Sequence, residues 1–235
     1  MIPFLLFVAL ETRVDQVLSI FENDTPVVQY CYIENIHDGR GFTAGKAGFT
    51  SGTGDLYQFV QNYEKARPET VLKKYLPELK RLAEEESEDV KGLRGIVKDW
   101  RSECQRKDFE ATQDALVEDM YKKPARGYQK DLGLKSPLSY LIVYDTLIQQ
   151  GDGDDPDSLK GLLKRMGKIR DEKKFLEKFL DVREEILLNA SDPSTRAEWR
   201  ESVDRVRALR RILEEDNFDL EDLHLHVWGK NWVIK

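Results

Sequence analysis

The sequence predicts a mainly helical α+β protein with one small sheet near its start. Three observations lead there. Leu10, Val14, Val17, Leu18 and Phe21 recur at helical spacing up to Glu22. The run DGRGFTAGKAGFTSGTGD, from Asp38 to Asp55, then holds six of the chain's fifteen glycines, a density at which no helix survives. Beyond Asp55 the helical period returns and persists almost to the end. A chain of 235 residues can bury a full core and sits near the upper size for one domain or two closely joined lobes, so one compact unit with a cleft is expected.

Taken in order, MIPFLLFVAL is apolar for too short a span to cross a bilayer and lacks a basic flank. It is either the remnant of a processed export signal or part of the core. The amphipathic helix of residues 9–22 follows, with Glu22 near its C-terminal end, where a carboxylate meets the unfavourable end of the helix dipole. Such a placement suits an acid that has to hold its proton. QYCYIENI alternates imperfectly and reads as a short strand. The glycine-rich run supplies turns and lets backbone approach a ligand, and Phe42, Phe49 and several threonines argue that it is an ordered hairpin sheet. Glu22 closing a helix and Asp38 opening this run read as a working pair of carboxylates.

The remaining segments read as helices over 56–66, 68–86, 89–105, 107–123, 136–150, 158–170, 172–190 and 194–216, with 223–235 extended. SPLSYLIVYDTLIQQ, residues 136–150, is apolar nearly all round, which marks the central buried helix. Asp145 inside it has to be paired with a cation or protonated. The acidic stretches EEESED and GDGDDPD read as solvated turns.

Charge and motifs exclude several functions. The net charge is −7 and no basic block interleaved with aromatics occurs, so no nucleic-acid footprint is present; a cationic substrate fits the balance better. The phosphate-loop pattern fails around Gly45-Lys46, with Arg40 where its first glycine belongs and Ala47 where its hydroxyl belongs. Gly39-Arg40-Gly41 with Ala44 satisfies a relaxed dinucleotide fingerprint, yet the glycines that follow cannot open its helix. Asp152 to Asp157 resembles a calcium loop, with Pro156 at a ligand position and Asp157 in place of the invariant glycine. His224 and His226 share a strand face without a third ligand nearby, so packing outweighs metal binding. Cys31 and Cys104, the two cysteines, are too few for a disulfide framework and lack CxxC spacing; they read as buried thiols, with one bridge between them left open. No nucleophile elbow is present, and carboxylate chemistry remains.

FEN closing the first helix, YIENIHDGRGFTAGKAGF and SGTGD resemble the signature of the glycoside hydrolase family 46 chitosanases over roughly residues 14–66. Weaker matches in YDTLI, FLDVREE, and DRVRALRRIL leading to NFDL carry the resemblance over most of the chain. It implies a lysozyme-like fold of two lobes around a substrate cleft, a single catalytic domain over 1–235. The small sheet-containing part would cover about 29–55 and the helical major lobe the remainder. It also implies a secreted monomer that cleaves β-1,4 bonds of chitosan, endo-acting and inverting, with no cofactor, no metal, no nucleic acid and no membrane.

Residue by residue, Glu22 matches the family's general acid, Asp38 its general base, and Thr43 a threonine that positions the catalytic water. Tyr32, Arg40, Thr53 and Asp55 match substrate-binding positions. Asp145, Arg183 and Arg205 match a buried charge network behind the acid, with Arg196 and Arg200 as competitors for the part of Arg205. Two departures are visible: the family often has a histidine near Gln150, and the loop from Asn23 to Tyr30 is short and lacks a tryptophan. The rival readings are a related lysozyme-like hydrolase of partly acetylated chitin or peptidoglycan, a non-catalytic polysaccharide-binding protein, and a plain helical interaction module. A non-catalytic binder has no need of both Glu22 and Asp38.

Overall fold

The computed structural model describes residues 4–193 and 196–235. The chain is mainly helical with small antiparallel sheets, and it divides into two compact units, Val28–Met120 and the segments on either side of it. The first helix, α1, runs Phe4–Asn23, more than a turn longer at its start than its apolar period predicts. Val14, Val17, Leu18, Ile20 and Phe21 are buried along one face. The helix stops where Asp24 takes a left-handed φ of 53° while still donating to Ile20 O, and Pro26 prevents its resumption.

The unit Val28–Met120 begins with three short strands, β1 (Ile33–Asn35), β2 (Phe42–Ala44) and β3 (Phe49–Thr50), paired antiparallel in that order. Thr43 stands opposite Glu34 on one side and Thr50 on the other. Helix α2 (Asp55–Ala66) follows Gly54, whose φ of 93° only glycine adopts without strain. A 3₁₀ turn over Val71–Tyr75 precedes α3 (Leu76–Glu85), so the helix expected over 68–86 is broken where Pro77, without an N–H, starts a new one. A second 3₁₀ turn and Gly95 likewise split the next segment ahead of α4 (Ile96–Glu103), and α5 (Lys107–Val117) completes the unit.

The core that covers the sheet is built from later helices of the same unit. Phe59 of α2 stacks on Phe49 of β3 and on Tyr63, each at 5.9 Å, and meets the rings of Trp100 and Phe109 at 5.0 Å. Aromatic rings of this size contribute most of a small core's buried area. Cys31 and Cys104 are joined in a disulfide, with Cys31 exposed; this corrects the reading of two buried thiols. The bridge ties the segment entering β1 to the end of α4.

The chain then passes through a π turn, Glu118–Lys122, into α6 (Lys123–Asp131), which the helical period missed. The buried Lys122 ammonium pairs with Glu11 at 2.7 Å and Asp15 at 2.8 Å on α1. Helix α7 (Pro137–Gln150) is capped by the Ser136 hydroxyl and is buried continuously from Leu138 to Leu147, as a central helix should be. After it come α8 (Leu159–Arg165), which packs on it, α9 (Glu172–Leu188), α10 (Arg196–Glu201), which packs on α9, and α11 (Val203–Glu214), which packs on both α7 and α9. The helix expected over 194–216 is two, parted at Ser202. The tail forms a hairpin of β4 (Leu223–Val227) and β5 (Lys230–Ile234). Among the described residues no helix is long and apolar enough to cross a membrane.

Candidate active site

Glu22 occupies the last turn of α1, with its side chain about a third exposed at 36 %. Its Oε1 accepts a bond from Arg205 Nη2 at 2.6 Å. The same guanidinium donates to Asp145 Oδ1, from Nε at 3.1 Å and from Nη2 at 2.6 Å, and lies over the Phe21 ring at 5.2 Å. On the other side of Asp145, Oδ2 meets Arg183 Nη1 at 2.6 Å as an ion pair at an angle poor for a directed hydrogen bond. The side chains of Asp145 and Arg183 are wholly buried and that of Arg205 nearly so.

The sequence folds this way because three helices each contribute one buried charged side chain to a common point: α7 gives Asp145, α9 gives Arg183 and α11 gives Arg205. Burial pushes the Asp145 carboxyl up, but the two guanidiniums outweigh it and hold it below the ordinary aspartate value. Burial alone pulls on Arg205 in the downward direction, and the carboxylates of Asp145 and Glu22 more than offset it. Arg196 and Arg200 are not members: their Nε atoms donate to Ala190 O and Leu188 O at 3.1 and 2.9 Å.

Asp38 lies in the loop between β1 and β2 and is held almost entirely by Arg40. Its Oδ1 accepts the Arg40 backbone N–H at 3.1 Å, and its Oδ2 accepts Nε and Nη2 at 2.8 and 2.6 Å. The loop is tight. His37 takes a φ of 56°, and at Gly41 a Cβ would sit 2.3 Å from Ser51 Oγ, so the turn closes only on glycine. The Ser51 hydroxyl accepts from Phe42 N–H at 3.0 Å, and Gly52 N–H donates to Arg40 O at 2.9 Å, which fastens the segment carrying Thr53 to the backbone of Arg40.

Thr43 of β2 is buried, and its hydroxyl has no hydrogen-bond partner among the described residues. Thr53 donates its hydroxyl to Asp55 Oδ1, which also accepts the Thr50 N–H at 3.0 Å. Burial raises the Asp55 carboxyl above its ordinary value, against the pull of those hydrogen bonds. Tyr32 donates its phenol to Glu34 Oε2 at 3.4 Å; burial first, then the charges of Glu34 and Asp38, raise that phenol.

The structure therefore gathers Glu22, Asp145, Arg183 and Arg205 into one bonded cluster, and joins Asp38 to Arg40 and Thr53 to Asp55. Two features escaped the sequence reading. Glu34, two residues from Tyr32 on β1, shares a bond with it; the alternation of a strand could have shown the pair. Gln149 and Gln150 both bond Arg183, at 2.6 and 3.0 Å, although Gln150 stood out only as a departure from a family histidine and Gln149 not at all. Among the described residues no cluster of histidine, cysteine or acidic side chains could hold a metal. His224 and His226 point outward from β4, His226 Nδ1 lying 2.9 Å from Asn231 Oδ1, and Asp155 Oδ1 accepts the Asp157 N–H at 3.0 Å within a structural turn.

The sequence matches the model of glycosyl hydrolase family 46 across residues 16–222. It is 48 % identical over 234 residues to a chitosanase of Bacillus subtilis (strain 168), spanning 95 % of this chain and 84 % of that protein. The fold aligns with the crystal structure of native chitosanase from Bacillus subtilis MY002 at a TM-score of 0.89 and 47 % identity, over 96 % of this chain and 98 % of that one. A Gynuella sunshinyii GH46 chitosanase in complex with chitotetraose aligns at 0.88 with 37 % identity, over 96 % and 97 %.

Proposed function

The chain belongs to glycosyl hydrolase family 46, and on that basis we infer that it is an endo-acting chitosanase, hydrolysing β-1,4 bonds between glucosamine units with inversion. Glu22 is the general acid, giving its proton to the glycosidic oxygen as the bond from C1 breaks. Asp38 is the general base, taking a proton from the water whose oxygen attacks C1 from the opposite face. Water is consumed and one bond is cut, so no cofactor enters the balance.

The observation that carries this reading is the buried Arg183–Asp145–Arg205 relay that ends on the partly exposed Glu22. Burying three charges is costly, and a relay whose last member reaches solvent places that cost behind a single carboxyl. When Glu22 gives up its proton, Arg205 is already in place to receive the new negative charge. Arg40 orients Asp38, and the unpartnered Thr43 hydroxyl supports a role in holding the attacking water. Asp55 with Thr53, and Tyr32 with Glu34, offer acidic and hydroxyl groups suited to the ammonium and hydroxyls of glucosamine, and the net charge of −7 favours a polycation. We place the enzyme outside the cell as a monomer; the Cys31–Cys104 disulfide supports an oxidising compartment.

Proton NMR of fully deacetylated chitosan oligomers tests the reading. Wild-type enzyme releases the α-anomer first, while Glu22→Gln and Asp38→Asn release nothing measurable. Initial β-anomer, or full turnover by Glu22→Gln, overturns it.

A further inference from the structure

Arg183 has three side-chain oxygens against it, and only one belongs to an anion. Beside the Asp145 contact, Nη2 donates to Gln149 Oε1 at 2.6 Å and Nε to Gln150 Oε1 at 3.0 Å. Each amide is turned that way by a bond at its other end. Gln149 Nε2 donates to Ser202 Oγ at 2.5 Å, and Gln150 Nε2 to the Asp157 backbone oxygen at 2.6 Å. Reversing either amide would aim an NH₂ group at a guanidinium and forfeit its bond to Arg183. Ser202 immediately precedes α11, so Gln149 also ties Arg183 to the start of the helix that carries Arg205.

The charges of the cluster can then be counted. Inside it two guanidiniums face the Asp145 carboxylate, and the carboxylate of Glu22 completes the balance. Of the charged groups on the neighbouring elements, Asp24 pairs with Lys230 of β5, Asp157 with Arg165 of α8, and Glu184 of α9 with Arg207 and Arg210 of α11. Asp204 of α11 accepts the Trp228 N–H at 2.6 Å.

We propose that Gln149 and Gln150 are positioning residues for the acid: they clamp Arg183 with uncharged oxygens, leaving one positive charge of the cluster for Glu22 to neutralise. The pair thereby sets the upper pH limit of turnover. The inference rests on Glu22 being the general acid.

Gln149→Glu adds a carboxylate of nearly identical shape, and the Ser202 hydroxyl, which donates to Trp199 O at 2.7 Å, can rotate to donate to it instead. The cluster then has no positive charge left over, so Glu22 keeps its proton to higher pH. The alkaline limb of kcat against pH, measured on a glucosamine hexamer, moves up by roughly one unit, the usual size for a charge change in a partly buried cluster. Gln149→Met keeps shape and charge but removes the clamp. It lowers kcat about tenfold, as expected for a slackened positioning group, with KM within about twofold and the limb in place. A folded Gln149→Glu enzyme whose limb stays put overturns the charge argument. Wild-type kcat in Gln149→Met overturns the clamp, and it does so whether or not the glutamate variant folds. Full activity in Glu22→Gln would instead remove the acid assignment itself, an outcome distinct from either.

Discussion

Arg205 Nη2 stands 2.6 Å from Glu22 Oε1 and 2.6 Å from Asp145 Oδ1, so one guanidinium nitrogen serves an exposed and a wholly buried carboxylate together. A lysine ammonium is a point charge without the planar fork that also reaches Asp145 through Nε. Both Arg205→Ala and Arg205→Lys are therefore expected to lose activity by about a hundredfold or more, because Glu22 is no longer held in place. Arg205→Ala also leaves a buried carboxylate half-paired and costs roughly 3–5 kcal/mol. Urea melts and initial rates on chitosan check both.

Asp145 governs acid stability. Its folded-state value lies below the ordinary aspartate value, so its contribution is fully present above the unfolded value of about 3.9 and is lost as pH falls through the folded one. Asp145→Asn should be less stable than wild type at neutral pH, and its melting temperature should vary less as the solution is acidified. A melting series from about pH 7 to about pH 3 shows whether the two curves converge.

Asp55 carries the opposite sign. Burial raises its folded-state value, so its contribution is present below the unfolded value and lost as pH rises through the folded one. At neutral pH the ionised group is a burden in the free protein. Asp55→Asn keeps an oxygen for the Thr50 and Thr53 donors, so its melting temperature at pH 7 should rise while KM for glucosamine oligomers increases about tenfold through loss of the ammonium partner. A lower melting temperature with unchanged KM would contradict both halves.

The Cys31–Cys104 bridge closes a separation of 73 residues. Constraining so long a loop contributes roughly 4 kcal/mol in the chain-entropy account. Reduction with dithiothreitol, or Cys104→Ser, should lower the melting temperature markedly. The sheet that leads to Asp38 should then exchange its amide hydrogens faster than α7 does.

The sequence made legible whatever depends on local period or on the cost of isolation. Asp145 inside an apolar helix demanded a cation, and the glycine run from 38 to 55 could be nothing but turns and short strands. The aromatic core beneath the sheet was hidden, because Phe49, Phe59, Trp100 and Phe109 are far apart in sequence and only packing joins them. Two cysteines say nothing of their separation in space. Gln149 and Gln150 were silent because an amide's part depends on what lies at both its ends, Arg183 on one side and Ser202 or Asp157 on the other. Helix breaks at Pro77 and Gly95 were written in the residues, and the amphipathic period masked them.

One helix of the acid's unit is synthesised long before the rest of it. Glu22 and Arg205 are 183 residues apart, whereas the unit bearing Asp38 is one unbroken segment, Val28–Met120. A nascent polypeptide can complete the unit bearing Asp38 while Glu22 still lacks its guanidinium, so the ion pair behind Glu22 forms only after Arg205 has been made.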